Sequence, residues 1–143
     1  MRLLKTYSNP MLIFILMGIL CGCSSMQERK QLDALGERTR AYGKMLRWGQ
    51  YEDAASMRRA REGEELKSID TDHFKEIRVT SYRVTRSELT EDRKEATVSA
   101  SIDFYHERQN RLTTLHDQQS WWYDEQRKKW YLEDDLPAFF KVP

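Results

Sequence analysis

Glu95-Ala96-Thr97-Val98-Ser99-Ala100-Ser101-Ile102-Asp103-Phe104-Tyr105-His106 alternates apolar and polar side chains over its whole length. Successive residues of a β-strand point to opposite faces. Ala96, Val98, Ala100, Ile102 and Phe104 therefore share one face, and Thr97, Ser99, Ser101, Asp103 and Tyr105 share the other. This pattern predicts a strand with one face on a core and a wetter second face, as in antiparallel sheets. Before it, Ile77 to Leu89 is rich in Val, Thr, Tyr and Ser, and its alternation breaks between Val79 and Tyr82, which predicts a bulge near Ser81. Thr90 to Lys94 is a polar turn between the two. After it, Glu107 to Asn110 turns, Arg111 to Tyr123 reads as a third strand, Asp124 to Arg127 turns again, and Lys128 to Asp134 reads as a fourth. Pro137 has no N–H to donate and ends the pairing, after which Phe139 and Phe140 are expected to fold back onto the core.

The residues before the first strand have a different period. From Lys30 to Trp48 the apolar positions Leu35, Tyr42, Met45 and Leu46 are spaced as on one side of a helix. Gly49 is a natural stop, because glycine accepts the left-handed conformation at a helix end. Tyr51 to Arg58 resumes as a short second helix with Ala54, Ala55 and Met57. Arg58-Arg59-Ala60-Arg61 is followed at once by Glu62, Glu64 and Glu65, so it reads as a solvated, self-neutralising loop. Ser68 to Glu76 holds one further helical turn with Asp70 as its cap. Helices first and an antiparallel meander after them imply an α+β fold, with N-terminal helices packed on one face of a four-stranded antiparallel sheet.

This order of elements, the break at Trp48-Gly49-Gln50-Tyr51-Glu52-Asp53-Ala54 and the ending Trp130-Tyr131-Leu132-Glu133-Asp134-Asp135-Leu136-Pro137 resemble the nuclear transport factor 2-like superfamily over about residues 30–140. The resemblance implies a cone in which a curved sheet wraps a long helix. Enzymes of that superfamily tend to set an acid and a tyrosine or histidine inside an apolar cone, where the acid takes a proton and a donor stabilises the oxyanion. The residue types that would serve are Asp103, Tyr105, His106, His116 and Asp117. Parity sends Asp103 and Tyr105 to the polar face of their strand, and His106 has core parity but sits at the strand end. Asp117 alternates with Leu115 and Gln119, which leaves its facing open. The set reads as surface or rim, no catalytic motif of the superfamily carries over residue by residue, and no cofactor is implied. His73, His106 and His116 show no paired spacing, so no metal site is expected. Of Trp121 and Trp122, adjacent on a strand, one is expected inside the cone and the other outward, over Tyr131 or another cross-strand neighbour. Trp121, Trp122 and His106 are the candidates for contact with a ligand or partner.

The extreme N-terminus carries Arg2 and Lys5 without an acid, then ten uncharged residues from Met11 to Leu20. That is the layout of an export signal, and the run is too short to span a bilayer, which takes about 20 apolar residues. Leu20-Cys21-Gly22-Cys23 resembles the lipobox of bacterial lipoproteins. Cys23, with Leu20 three residues upstream and Gly22 directly before it, fits better than Cys21. The resemblance implies cleavage before Cys23, a diacylglycerol on its sulfur and a third acyl chain on the new amino group. Ser24 in place of Asp suggests the outer membrane over the inner, on the periplasmic face.

Residues 1–22 are then a signal peptide, 23–29 a short polar tether and 30–143 one α+β domain. The mature chain would hold 22 basic and 23 acidic side chains, so no global field favours nucleic acid. Beyond Cys23 there is no cysteine, so the core itself must hold the domain. The sequence is therefore read as a membrane-anchored, periplasmic-facing, non-enzymatic lipoprotein that binds a partner protein of the envelope or a small apolar ligand. The rival readings are an isomerase or hydro-lyase that uses the cone, and a structural accessory of an envelope assembly.

Overall fold

The computed structural model describes the backbone of residues 10–141 and the side chains of residues 25–141. Cys23 and the signal residues before it lie outside the described side chains. The first helix, α1, is Pro10–Arg47. Ser25 to Arg29, expected as a tether, continue α1 with exposed side chains. Gln27 to Gln31 are good helix formers, and no proline or glycine stands between Ser25 and Gly36. The stop at Gly49 is as expected. Gly49 has φ +68°, its N–H bonds to the Leu46 carbonyl at 3.1 Å, and the Gln50 N–H bonds to the Met45 carbonyl at 2.9 Å. This is the double bond of a Schellman cap.

Helix α2 is Tyr51–Ser56, two residues shorter than expected. A 3-10 helix over Thr71–Glu76 follows, with the Asp70 carboxylate accepting from the Asp72 N–H as anticipated. Four strands come next: β1 Ile77–Leu89, β2 Glu95–His106, β3 Thr113–Asp124 and β4 Lys129–Leu132. They form one antiparallel sheet in the order β1-β2-β3-β4. The pairing of β1 with β2 shifts register between Val79 and Ser81, where the bulge was expected, and again between Val84 and Arg86. β3 starts two residues later than the sequence suggests and β4 is shorter at both ends. The β4 edge is taken over by the chain after α2, where Leu132 N–H bonds to the Met57 carbonyl at 3.0 Å and Arg59 N–H to the Leu132 carbonyl at 3.3 Å.

The core lies between α1 and one face of this open sheet. All five apolar residues of β2 are buried on it. Cross-strand partners share a face, so Leu115, Asp117, Gln119 and Trp121, opposite Ile102, Ala100, Val98 and Ala96, line the same inner side. From α1 come Leu35, Tyr42 and Leu46, from beyond α2 comes Met57, and from β4 come Trp130 and Leu132. Of the two phenylalanines expected to fold back, Phe139 does, stacking on Phe104 at 4.8 Å, whereas Phe140 stays largely exposed beside Phe74. α1 passes so close to the sheet at Gly43 that a Cβ there would stand 2.2 Å from the Tyr82 ring.

Candidate functional site

The residue types that could carry acid–base chemistry do not assemble as one set. Asp103 faces outward and accepts a hydrogen bond from Thr114 Oγ1 at 2.7 Å. Tyr105 shares that outer face, and His116 is exposed. His106 stands at the strand end with both ring nitrogens engaged. Nε2 is 3.2 Å from Glu76 Oε2, and Nδ1 accepts the Arg108 N–H at 3.3 Å. It lines a small cleft of about 220 Å³ with Phe104, Phe139 and Phe140.

Asp117 departs from the surface or rim reading. The register places it opposite Ala100, on the inner face and half-buried. Burial pushes its carboxyl above the usual carboxylate range; a hydrogen bond from Gln119 opposes this and the Asp134 charge adds to it. Gln119 is the hub. Its Nε2 donates to Asp117 Oδ2 at 2.8 Å and to Tyr82 Oη at 3.1 Å, and its Oε1 accepts the Trp121 Nε1–H at 3.1 Å. Burial holds the Tyr82 hydroxyl far above its ordinary range. Tyr42 completes the group, its ring edge-on to Tyr82 at 6.1 Å and to Trp121 at 5.8 Å. The buried Tyr42 Oη meets no hydrogen-bond partner among the described residues. Sequence reading missed Tyr82 and Gln119 as polar inner-face groups. The signal for Gln119 was present in its parity with Trp121 on β3, whereas Tyr82 was hidden by the bulge that precedes it.

This cluster has the parts of a proton-transfer site, an acid with a raised pKa beside an amide and two phenols, but not the space. Five clefts among the described residues open elsewhere, and none of these is lined by Tyr42, Tyr82, Asp117 or Gln119. Trp121 and Trp130 fill the interior together with Tyr42, Leu46 and Met57.

The tryptophan pair divides as parity requires. Trp121 is fully enclosed. Trp122 points outward with its ring 5.5 Å from Tyr131, as expected, and its Nε1–H donates to the Arg59 carbonyl at 3.0 Å. Arg61 lies over the indole at 5.9 Å. Trp122 thus forms part of the wall of a cleft of about 610 Å³, with its ring already in contact on protein. Arg58 and Arg61 of the Arg58-Arg59-Ala60-Arg61 cluster are neutralised by distant acids and not by Glu62, Glu64 and Glu65, while Arg59 lies over the Tyr131 ring at 5.4 Å. Arg61 pairs with Glu95 at 2.6 Å and Glu133 at 3.0 Å, and Arg58 pairs with Asp135 at 2.7 Å. The Arg58 side chain is only 6% exposed and also donates to the carbonyls of Asp134 and Lys67. A solvated loop does not describe it; the arginines fasten the segment after α2 to the end of the sheet.

Among the described residues no three His, Cys, Asp or Glu side chains converge as metal ligands, and no helix is long and apolar enough to cross a membrane. Comparison with protein families, curated proteins and solved structures finds no match to this chain.

Proposed function

We propose that the chain is a lipoprotein, held through acyl chains on Cys23 to the periplasmic face of the outer membrane, whose nuclear transport factor 2-like domain is a non-enzymatic binding module for an envelope protein or a small apolar ligand. The anchor rests on the lipobox resemblance at Leu20-Cys21-Gly22-Cys23. The observation that weighs against catalysis is the filled interior, which favours a partner held at the surface over a molecule held inside the cone. Trp121, Trp130, Tyr42, Leu46 and Met57 occupy the space a substrate would need, each with almost no solvent exposure. The test is a pull-down from detergent-solubilised envelope with the lipidated protein as bait and mass spectrometry of what co-purifies. Specific recovery of an envelope protein or an apolar small molecule is expected; a bait that returns neither removes the binding-module reading.

One observation favours a second reading, an isomerase or hydro-lyase: the raised pKa of Asp117 on the inner face. That chemistry requires the aromatic filling to move aside and admit substrate. Turnover of a small carbonyl substrate that vanishes in Asp117→Asn, with the fold intact, would replace the first reading with this one.

A further inference from the structure

The outward face of α1 carries a stripe of exposed basic side chains. Arg29, Lys30, Arg40, Lys44 and Arg47 are exposed along it, against the two acids Asp33 and Glu37. At 3.6 residues per turn all five basic positions fall within about 60° of the direction of Met26. None of the five makes an ion pair with a described residue, whereas Arg58, Arg61, Arg78, Arg86, Arg108 and Arg127 elsewhere are all paired with carboxylates. The stripe ends in two exposed apolar side chains, Met26 at 62% and Trp48 at 74%, and Trp48 is the most exposed large hydrophobic of the described residues. The opposite side of α1 is committed to the core through Leu35, Tyr42 and Leu46, so the helix cannot roll this stripe away from solvent.

We propose that this face of α1 docks on an anionic phospholipid surface, laying the helix along the membrane. Two properties identify the occupant. The stripe holds five basic and two acidic side chains, a net charge of +3, while the rest of the mature chain holds 17 basic and 21 acidic ones, a net charge of −4, and lysine and arginine beside anionic headgroups are attracted within a Debye length. An indole at the end of a basic stripe suits the headgroup layer, where an apolar ring with a polar N–H is favoured. The distance from Met26 to Arg47 along the helix is about 32 Å at 1.5 Å per residue. The docked helix would make the attachment a line and not a point, and would fix which side of the domain faces the periplasm. The proposal rests on the lipoprotein reading for the nearness of the membrane.

The test uses the full chain recovered from membranes with its acyl chains. It is placed on phosphatidylcholine vesicles and on vesicles in which phosphatidylglycerol replaces a quarter of the lipid, each doped with lipid brominated near the headgroup. Trp48 emission should be quenched on the anionic vesicles and not on the neutral ones, and Trp48→Phe should remove the quenchable component. Each basic residue near an anionic surface strengthens attachment about fivefold. Lys30→Glu, Arg40→Glu and Lys44→Glu together should therefore lower the docked-to-undocked ratio at least about a hundredfold, while Lys67→Glu, Arg83→Glu and Lys129→Glu together should leave it unchanged. Near-ultraviolet circular dichroism from the buried Trp121 and Trp130 checks that each variant is folded. Equal quenching on both vesicles, no quenching on either, or quenching that survives the α1 reversals overturns the proposal. Flotation on neutral vesicles reads the lipid anchor separately, so a chain that fails to float there contradicts the lipoprotein reading and not the docking face.

Discussion

Gly36 and Gly43 occupy two turns of one helix, and the structure assigns the same substitution opposite signs at them. Around Gly36 an added Cβ meets nothing within 4 Å. Gly36→Ala should therefore gain up to about 1 kcal/mol, the helix preference for alanine over glycine. At Gly43 the Cβ would lie 2.2, 2.6 and 2.7 Å from three atoms of the Tyr82 ring. Ordinary contact is about 3.4–4 Å, so the ring must retreat by more than 1 Å. Its hydroxyl is tied to Gln119 and its edge to the Tyr42 ring, so the retreat weakens both contacts. Overpacking costs about 1–3 kcal/mol, and a lost hydrogen bond about 1 more. Subtracting the helix preference leaves Gly43→Ala destabilised by about 2 kcal/mol. Urea unfolding of the chain from Ser24 onward, followed by tryptophan fluorescence, measures both. Tyr82→Val in the Gly43→Ala background makes room for the new methyl, so the pair should show a favourable coupling of at least about 1 kcal/mol. Gly43→Ala as stable as Gly36→Ala, or a coupling near zero, would refute the close approach of α1 to the sheet.

Ile102→Ala should cost about 2–5 kcal/mol through the cavity it leaves, and Ser101→Ala on the other face much less; equal shifts in the chemical melt would mean the β2 register is wrong. Arg58→Met should cost about 1–2 kcal/mol, because it leaves the part-buried Asp134 carbonyl without its donor, whereas the exposed Lys67 carbonyl and Asp135 carboxylate turn to water, and Arg58→Lys should recover little of it, since a single ammonium cannot reproduce the guanidinium's fork of donors. Asp117 carries a pKa raised in the folded state, so its contribution is most favourable when protonated and is lost as pH rises from the unfolded carboxylate range, about 3.9, through the raised folded value. Asp117→Asn should therefore match the wild type in acid and exceed it in stability at neutral pH; parallel urea midpoints across pH would show that the carboxyl is not desolvated.

Most of the fold was legible because its signals are local. Strict alternation in Glu95 to His106 fixes both the strand and its buried face, and Gly49 and Asp70 act within one helical turn of their own positions. What was not legible depends on pairing at a distance. The inward facing of Asp117, left open by its alternation with Leu115 and Gln119, is fixed by its register with Ala100, and the hub role of Gln119 follows from what β1 and β3 bring together. The arginines after α2 looked self-neutralising with their sequence neighbours, yet their acids come from β2 and from the chain after β4. The exposure of Phe140 could not be told from the burial of Phe139, since a 3-10 helix aims adjacent side chains apart.

Attachment through Cys23 is read out by mass spectrometry of the N-terminal peptide from protein extracted out of cell membranes. The mature chain should begin at Cys23 and carry a diacylglyceryl group with a further acyl chain on its amino terminus. Cys23→Ala should abolish both the modification and the cleavage, while Cys21→Ala should leave both in place. An unmodified peptide, a chain that still begins at Met1, or acylation that survives the loss of Cys23 would contradict that attachment.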